Sequence, residues 1–457
     1  MSDLERLLSV AVILCIYALL CRWSFRSAFS APANNNSEAT LLVAYASQSG
    51  TAAGYAKTTF DKLTEPARLL PMNELTDDIL VSTKRVLFVV STYGEGEAPD
   101  NGQSFIHRYL HQSSFDFSHI EFSILSLGDS SYPNFCWFGK FLESELCRLH
   151  ARVLFDSISL DASKPNDSAI SQWYNCLAEH ELIKASAIPA AQDSERSTQG
   201  RWQTWILDDR EWLNPESPGE PLYRLVFTSQ NTSIHWHAGE IAEVHPFNDT
   251  QQKIREYSVS TIPQPNTNQI PSTIQLELIV RVHSHQQYTG LCSSWLCYNL
   301  AIGESVKFKL RPNPQFRTPP TELPLILIGS GSGYAGLRSH LKARESDMTG
   351  DNWLIFGERS PQADNIFADE LDSWMQNGNL THLHRAFSRC SENPSYVQDV
   401  LRQQKAQLLQ WVANGAVIMV CGSRLGMAKA VDDALNEFFG SHMLKLIEQG
   451  RYRRDIY

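Results

Sequence analysis

The feature that most constrains the fold is a pattern that occurs three times in the first third of the chain. Each time, a short apolar run is followed by a loop rich in small or hydroxyl-bearing residues; the runs occupy residues 41–45, 86–90 and 124–127. Continuous apolar runs of this length are typical of strands buried on both faces of a parallel sheet. The pattern predicts a doubly wound sheet, which binds ligands outside the carboxyl ends of its strands.

The loop after the first run, residues 47–52, is a candidate phosphate site. It precedes a helical stretch, so its hydroxyls and backbone N–H groups surround a helix N-terminus, where anions bind. Because it contains no lysine, it is not a Walker A motif, and a phosphate carried on a cofactor suits it better than a nucleoside triphosphate. An ordinary Ser- or Thr-capped helix start is the alternative. The other two loops contain Tyr93 and Tyr132, which can stack on a flat aromatic ring from opposite sides.

Together the three loops resemble the flavodoxin-like, FMN-binding domain. The resemblance implies that loop 47–52 holds the FMN phosphate and that Tyr93 and Tyr132 flank the isoalloxazine ring. The cofactor-binding residues that it implies are Ser47, Gln48, Ser49, Gly50, Thr51, Ala52, Ser91, Thr92, Tyr93, Gly94, Gly128, Asp129, Tyr132, Phe135 and Cys136.

Charge favours a protein partner over a nucleic acid. The chain has a formal charge of −11, and residues 40–185 contain 18 Asp and Glu against 11 Lys and Arg. A nucleic-acid binder would usually carry basic patches, so none is expected as a partner. Glu95, Glu97 and Asp100 lie beside the proposed flavin edge, either as a solvated acidic face or as a surface that steers an electron acceptor with a basic rim. The nine scattered cysteines form no Cys-x-x-Cys pair and predict no metal site.

A second candidate cofactor site follows in an all-β stretch. Arg255 and Tyr257-Ser258 form an Arg-x-Tyr-Ser motif, and a Gly-x-x-Ser loop stands at a later helix start. The two motifs resemble the FAD-binding barrel of ferredoxin–NADP reductases. Arg255 can pair with the pyrophosphate, Tyr257 offers a ring face, and Ser258 offers a hydroxyl near the flavin N5. The loop residues, which can donate N–H groups to the pyrophosphate, are Gly290, Leu291, Cys292 and Ser293.

The last third of the chain contains a dinucleotide motif. An apolar run at residues 325–328 is followed by Gly331, Gly333 and Gly336, which satisfy the G-x-G-x-x-G template, and then by a helical stretch. This part resembles the NADPH module of sulfite reductase flavoproteins, NADPH–haemoprotein reductases and nitric oxide synthase reductase halves. With the flavodoxin-like part, the resemblance covers residues 40–457.

The resemblance assigns roles to several residues of this module. Ser388 and Arg389 would grip the 2′-phosphate of NADPH, a contact that a guanidinium suits well, and Tyr396 would also bind the nucleotide. Where related chains often carry a lysine, this chain has Pro394, which removes one phosphate contact and predicts a weaker preference for NADPH over NADH.

The same resemblance implies a catalytic group. Cys421 would lie near the nicotinamide, with Asp455 close by and Ser258 at the flavin. The terminal Tyr457 would stack on the FAD ring and swing aside when nicotinamide arrives. The alternatives are a buried small hydrophobic side chain for Cys421 and a frayed terminus for Tyr457.

The first thirty residues predict a membrane anchor. Residues 7–25 are uncharged apart from Arg22 and mostly apolar, and they are long enough to span a bilayer. Arg22 and Arg26 follow the apolar stretch, so the positive-inside rule predicts a single-pass inner-membrane protein whose remaining domains lie in the cytoplasm. A secretory signal with a cleavage site at residues 28–30 is the alternative.

The sequence therefore predicts a multidomain α/β plus β protein: a membrane-anchored, NADPH-dependent diflavin reductase that uses FMN, FAD and NADPH. Electrons would pass from NADPH to FAD, to FMN and to a haem or iron–sulfur protein docked on the acidic FMN domain. A reductase of a small acceptor, such as ferric chelate or quinone, and a non-catalytic nucleotide-binding regulatory module are the alternatives. Arg255 comes 53 positions after Trp202, which leaves no room for the helical connecting insert of the family. The predicted boundaries are an anchor at 1–30, a stalk at 31–39, the FMN domain at 40–185, a linker at 186–200, the FAD barrel at 201–320 and the NADP domain at 321–457.

Overall fold

The computed structural model of the chain describes most of the sequence from residue 39 onwards. The predicted anchor, all but residue 39 of the predicted stalk, and all but residue 186 of the predicted linker lie outside the described residues. The described ranges are 39–48, 50–92, 96–111, 115–130, 134–161, 167–184, 186, 202–246, 254–263, 273–285, 288–345, 351–390 and 392–457.

Residues 39–184 form the N-terminal unit, which is built on a parallel sheet. Its strands are β1 (Leu41–Ala46), β2 (Ala67–Pro71), β3 (Arg85–Ser91), β4 (Glu121–Gly128), β5 (Arg152–Val153) and β6 (Ile158–Asp161). They run in the order β2-β1-β3-β4-β5, and β6 also pairs with β4. Its helices are α1 (Thr51–Lys62), α2 (Asp77–Ser82), α3 (Asp100–Phe105), α4 (Trp137–Arg148) and α5 (Asp167–Glu179).

The apolar runs form the central strands because both faces of this sheet are covered. Alternate residues of a strand point to opposite faces, and accordingly Leu42 and Ala44 enter one buried cluster while Leu41 and Val43 enter another. The predicted doubly wound parallel sheet is confirmed.

The barrel, residues 202–316, is antiparallel. Its strands are β7 (Gln203–Trp212), β8 (Leu222–Ser229), β9 (Ile241–Val244), β10 (Arg255–Ser258), β11 (Ile274–Arg281) and β14 (Ser305–Arg311), in the order β10-β9-β14-β7-β8-β11. A bridge from Val259 to Leu278 joins the two ends of this order, so the sheet closes on itself. The short strands β12 (Ser284–His285) and β13 (Tyr288–Thr289) pair as a hairpin that leads into helix α6 (Leu291–Ser294).

The C-terminal unit, residues 325–457, is a second parallel sheet with helices on its faces. Its strands are β15 (Leu325–Ser330), β16 (Asn352–Glu358), β17 (His382–Phe387), β18 (Val417–Gly422) and β19 (Tyr452–Ile456), in the order β17-β16-β15-β18-β19. Its helices are α7 (Tyr334–Arg344), α8 (Ala368–Asn377), α9 (Val397–Gln403), α10 (Lys405–Ala413), α11 (Lys429–Phe439) and α12 (His442–Glu448).

The three units are in contact. Leu222, Ile279 and Phe316 of the barrel belong to the same buried cluster as Leu325 and Leu337 of the C-terminal unit, so these two units share a core. The N-terminal unit meets the C-terminal unit through polar contacts instead, among them an ion pair of 2.7 Å between Arg108 and Glu448.

The predicted inner-membrane location is wrong. Among the residues that the structure describes, no helix combines the length and the apolar character needed to cross a bilayer. The segment in which the spanning helix was predicted, residues 1–30, lies outside those residues.

Candidate functional site

A cavity of about 900 Å³ lies where the three units meet. This volume is in the upper part of the range of roughly 300–1,000 Å³ that is usual for ligand sites. The loops after β1, β3 and β4 line one side of it, β10 and β11 line another, and the end of β19 closes it. The residues that line the cavity include Gln48, Thr92, Gly128, Asp129, Arg255, Tyr257, Ser258, Arg281, Gly290, Cys292, Ser293, Ser332, Asp455 and Tyr457.

The predicted phosphate loop turns sharply into α1. Gly50 has a φ of +88°, a left-handed conformation that glycine adopts at little cost, and the helix begins at Thr51. The Ser47 amide donates a hydrogen bond of 3.0 Å to Asn101 Oδ1. The Ser47 hydroxyl is buried and has no hydrogen-bond partner among the described residues. A buried orphan hydroxyl is unusual in a folded protein, and the FMN phosphate would satisfy it.

The side chain of Gln48 is held by Asp100. Gln48 Nε2 donates to Asp100 Oδ2 at 3.0 Å, and the Asp100 amide donates to Gln48 Oε1 at 2.9 Å. Asp100 is 7% exposed. It therefore does not belong to a solvated acidic face, which corrects the expectation that it docks an acceptor together with Glu95 and Glu97. Glu97 is exposed, and Glu95 lies outside the described residues.

Hydrogen bonds fix the loops after β3 and β4 to each other. The Thr92 amide donates to the Leu127 carbonyl at 2.8 Å, and the Thr92 hydroxyl accepts from the Phe138 amide at 3.2 Å near the start of α4. A Cβ on Gly128 would lie 2.7 Å from the Cys136 amide nitrogen, so only glycine fits there. The Ser91 hydroxyl donates to the Ala46 carbonyl at 3.3 Å and ties the first loop to the second.

Of the other predicted FMN residues, some lie at or near the cavity and others lie outside the described residues. Asp129 lines the cavity, whereas Phe135 and Cys136 lie against Gly128, and Ala52 is buried in the first turn of α1. The two ring-stacking candidates and two loop residues fall outside the described residues; these are Tyr93, Tyr132, Ser49 and Gly94.

The barrel places two of its predicted residues at the cavity wall. Tyr257 is hydrogen-bonded to the thiol of Cys292, and burial raises the pKa of both side chains. Both therefore stay neutral near pH 7, which suits a wall against an aromatic ring. Arg255 lines the cavity from an exposed position on β10, where a phosphate can reach it.

The loop that starts α6 departs from expectation. The Gly290 amide donates to the His283 carbonyl at 2.6 Å. The Ser293 hydroxyl accepts from the His283 amide and donates to the Gly290 carbonyl, each at 3.1 Å. The Gly290 amide is therefore already committed, which corrects the expectation that all four loop residues offer N–H donors to a pyrophosphate. Leu291 is exposed.

The glycines of the dinucleotide motif allow α7 to start against β18. A Cβ on Gly333 would lie 2.2 Å from the Cys421 carbonyl oxygen, and one on Gly336 would lie 3.0 Å from Cys421 Sγ. Gly331 has a φ of +59°. This close approach is what the G-x-G-x-x-G pattern requires, and it places the amide end of α7 beside the cavity.

Three of the four predicted catalytic side chains come together at the base of the cavity. Ser258 Oγ donates to Asp455 Oδ2 at 2.7 Å, and Cys421 Sγ lies 3.8 Å from the same oxygen. Burial raises the pKa of Asp455, an effect that the hydrogen bond from Ser258 partly offsets. Burial and the neighbouring Asp455 raise the pKa of the Cys421 thiol. The thiol therefore stays protonated and is no nucleophile.

Two hydrogen bonds hold Tyr457 in place. The Tyr457 amide donates to the Gly422 carbonyl at 3.2 Å, and its hydroxyl donates to Ser332 Oγ at 2.9 Å. Its side chain lines the cavity, as a ring that covers a flavin would. These contacts do not describe a frayed terminus.

The predicted 2′-phosphate residues lie on the adjoining surface of the C-terminal unit. The Ser388 amide donates to the Glu358 carbonyl at 3.0 Å, and the Arg389 amide donates to the Arg359 carbonyl at 2.7 Å. The Arg389 side chain is exposed, as is Tyr396 at the start of α9. Both side chains are therefore accessible to a nucleotide.

Comparison with known proteins covers nearly the whole chain. Residues 43–173 match the flavodoxin family, and residues 327–433 match the oxidoreductase NAD-binding domain family. Among curated relatives, the sulfite reductase [NADPH] flavoprotein alpha-component of Bacillus subtilis (strain 168) is 24% identical over 91% of this chain and 89% of its own length. The protein of the same name from Mannheimia succiniciproducens is 25% identical over 93% of this chain and 92% of its own length. That from Shewanella sp. (strain MR-7) is 26% identical over 92% of this chain and 90% of its own length. The predicted resemblance to the diflavin reductase family is confirmed.

Compared with these relatives, this chain is a compact form. The alignment with the Bacillus protein extends over 541 positions, although this chain has only 457 residues, so the relative carries segments that are missing here. The short spacing between Trp202 and Arg255 predicts this difference. The boundaries of the individual domains stay predictions.

These similarities confirm the predicted enzyme class, an NADPH-dependent flavoprotein reductase, and the predicted cofactors FMN, FAD and NADPH. The residues present fit these groups: the buried Ser47 hydroxyl has no partner within the described ranges, the cavity is large, and the approach at Gly333 admits no side chain.

Two arginines near the cavity are absent from the sequence-based prediction. Arg281 ends β11 and lines the cavity, and Arg454 on β19 bonds to Asp100 of the N-terminal unit. An arginine directly after the apolar residues 278–280 was a usable signal for Arg281. No local pattern points to the partner of Arg454, because 354 positions separate it from Asp100.

Proposed function

We propose that this chain passes electrons from NADPH through FAD and FMN to a one-electron acceptor protein of the haem or iron–sulfur type. The relatives are named as flavoprotein components of an NADPH sulfite reductase, which supports a redox protein as the acceptor. The acidic excess of residues 40–185, 18 Asp and Glu against 11 Lys and Arg, suits an acceptor with a basic rim.

The observation that carries this proposal is that both predicted flavin sites open into one cavity. Gln48, Thr92 and Gly128 face it from the FMN side, and Tyr257 and Cys292 face it from the FAD side. Flavins held by these walls would share this cavity. Electrons could then pass between them without leaving the protein.

The residues at the base of the cavity have distinct proposed roles. When bound, the flavins supply the redox chemistry by taking a hydride from NADPH and releasing electrons singly. Asp455 holds the Ser258 hydroxyl in a fixed direction, at the place where the flavin N5 is expected. The neutral Cys421 thiol supplies an uncharged surface for the nicotinamide. Tyr457 would cover the FAD position and would move aside for the nicotinamide.

The proposed order of electron transfer, from FAD to FMN, can be tested with a variant that loses FMN and keeps FAD. In Ser47→Asp, a carboxylate would occupy the phosphate loop and exclude FMN by like-charge repulsion, while Ser47→Ala is the uncharged control. We expect Ser47→Asp to keep FAD and its bleaching by NADPH in anaerobic stopped flow. The same variant should lose at least about nine-tenths of cytochrome c reduction, because the single-electron outlet is missing.

The outcomes distinguish the alternatives. Full cytochrome c reduction by FMN-free Ser47→Asp would contradict the proposed order of transfer. Failure of NADPH to bleach the flavin of the unmodified protein would favour a non-catalytic nucleotide-binding module. Rates with ferric chelates that exceed those with cytochrome c at every salt concentration would favour a small acceptor, since docking between charged proteins depends on salt.

A further inference from the structure

Arg281 holds a position between two units and beside the dinucleotide motif. It ends β11 of the barrel, and its guanidinium faces the cavity. A Cβ placed on Gly331 would lie 3.1 Å from Arg281 Nη2, so the guanidinium is close to the glycine turn that starts the dinucleotide site. Its side chain is 20% exposed, which leaves it accessible from the cavity.

Glu358 holds this guanidinium in place. Arg281 Nη2 donates to Glu358 Oε1 at 2.7 Å, and Nη1 donates to the Glu220 carbonyl at 3.0 Å. The Glu358 side chain is 3% exposed. Burial raises the pKa of Glu358 to about 6, an effect that Arg281 partly opposes. A guanidinium has five N–H donors, so two bonds leave it capable of binding an anion as well.

Glu358 also connects Arg281 to the predicted 2′-phosphate loop. It is the last residue of β16, and its carbonyl accepts from the Ser388 amide at 3.0 Å. Strand β16 lies between β15, which leads to Gly331, and β17, which leads to Ser388 and Arg389. Neighbouring strands are about 4.8 Å apart, so the two ends of this row are separated by roughly two strand spacings. In NADPH the pyrophosphate and the third phosphate are attached to the 5′ and 2′ positions of the adenosine ribose, and two anionic groups at that spacing match the layout.

We infer that Arg281 binds the pyrophosphate of NADPH and that Glu358 is its positioning residue. The inference rests on the proposed function, because it assigns a contact within the same dinucleotide site. The pyrophosphate would lie between the amide end of α7 and the Arg281 guanidinium, two features that each favour anions. Arg255, which is predicted to bind the FAD pyrophosphate, lies on a different strand of the barrel, β10.

The test compares two ligands on the purified oxidised holoenzyme by isothermal titration calorimetry. NADP⁺ carries both the pyrophosphate and the 2′-phosphate, whereas 2′-AMP carries only the latter. Arg281→Gln should weaken NADP⁺ binding by about 10- to 100-fold, which is usual for the loss of a charged hydrogen bond, and leave 2′-AMP binding within about twofold. Arg389→Gln, the matched control, should weaken both ligands.

Two further variants distinguish contact from support. Arg281→Lys keeps the charge but loses the planar fork, so NADP⁺ binding should fall between that of the unmodified protein and that of Arg281→Gln. It also serves in place of Arg281→Gln if that variant does not fold. Glu358→Gln should weaken NADP⁺ binding by about 3- to 10-fold through loss of positioning alone, with 2′-AMP unaffected.

Flavin content shows whether Arg281 binds the pyrophosphate of NADPH or that of FAD. Loss of FAD from Arg281→Gln with unchanged NADP⁺ affinity would overturn the inference and assign Arg281 to FAD. Equal weakening of NADP⁺ and 2′-AMP, or a loss of stability without any change in affinity, would overturn it in favour of a structural ion pair. If the unmodified protein binds neither ligand, the proposed function itself fails.

Discussion

Arg454 on the last strand is ion-paired with Asp100 at the start of α3, although 354 residues separate the two along the chain. Both side chains are nearly buried, at 11% and 10% exposure. Arg454 also bonds to Asp432 of its own unit at 2.7 Å. The pair joins Asp100, which holds Gln48 of the predicted phosphate loop, to the strand that carries Asp455 and precedes Tyr457.

Removal of this ion pair should weaken the contact between the N-terminal unit and the C-terminal unit. Arg454→Gln leaves Asp100 buried without its cation, which typically costs about 3–5 kcal/mol. We expect a larger radius of gyration by small-angle X-ray scattering, because separation of the units lets water reach the carboxylate. Asp432→Asn, which breaks only a contact within the C-terminal unit, is the control. An unchanged radius of gyration in Arg454→Gln would show that other contacts hold the units together.

Asp455 should matter for the hydride step and not for flavin binding. Asp455→Asn removes the charged acceptor of the Ser258 hydroxyl, whose bond is 2.7 Å long. We expect flavin bleaching by NADPH to slow on the order of 100-fold, a usual effect for a group that directs protons or hydrogen bonds at a reacting centre. Ser258→Ala should show a smaller loss in the same direction, and both should keep one FAD per chain. A normal rate of bleaching in Asp455→Asn would remove Asp455 from the site.

Tyr457 should compete with the nicotinamide. Tyr457→Ala exposes the FAD face and should lower the KM for NADH by about 2- to 10-fold, the range expected for loss of one aromatic stacking contact. Tyr457→Phe keeps the ring and loses only the hydrogen bond to Ser332, so it should resemble the unmodified protein. Identical NADH kinetics in all three proteins would contradict stacking.

Pro394 should limit the preference for NADPH. It is exposed, two positions before Tyr396 on the loop that begins with Ser388 and Arg389. Pro394→Lys adds a cation near the predicted 2′-phosphate and should raise the ratio of kcat/KM for NADPH to that for NADH by about 3- to 10-fold. Pro394→Gln, without the charge, should leave the ratio unchanged. A ratio that rises equally in both variants would assign the effect to the backbone.

His340 should make the barrel and C-terminal unit sensitive to acid. It is fully buried, with Nδ1 2.8 Å from the Thr318 hydroxyl, and burial lowers its pKa from 6.5 to about 3. Below pH 6.5 the unfolded chain takes up a proton that the folded protein refuses until about pH 3. The free energy of unfolding should therefore fall by about 1.4 kcal/mol per pH unit within this window.

Denaturant titrations followed by FAD fluorescence at pH 7.5 and 5.5 can measure this dependence. In His340→Asn, the amide replaces the bond to Thr318 without titrating, so the pH dependence should be weaker than in the unmodified protein. Equal pH dependence in both proteins would show that other groups dominate.

The elements found from sequence are those whose signal is local. Residues 41–45 and 325–328 were identifiable because buried parallel strands are continuously apolar, and the loops behind them because small residues must admit a backbone or a phosphate. The approach of Ser258, Cys421 and Asp455 was expected only through the family resemblance. The hydrogen bond from the Gly290 amide to the His283 carbonyl depends on how the β12–β13 hairpin folds. The burial of Asp100 depends on the docking of two units, which no local pattern encodes.

Electron transfer through two flavins is tested most directly by the flavin content of the purified protein, determined by extraction and chromatographic separation of FMN and FAD. We expect one FMN and one FAD per polypeptide, with selective loss of FMN in Ser47→Asp. A single flavin per chain in the unmodified protein, whichever flavin it is, would rule out transfer from FAD to FMN.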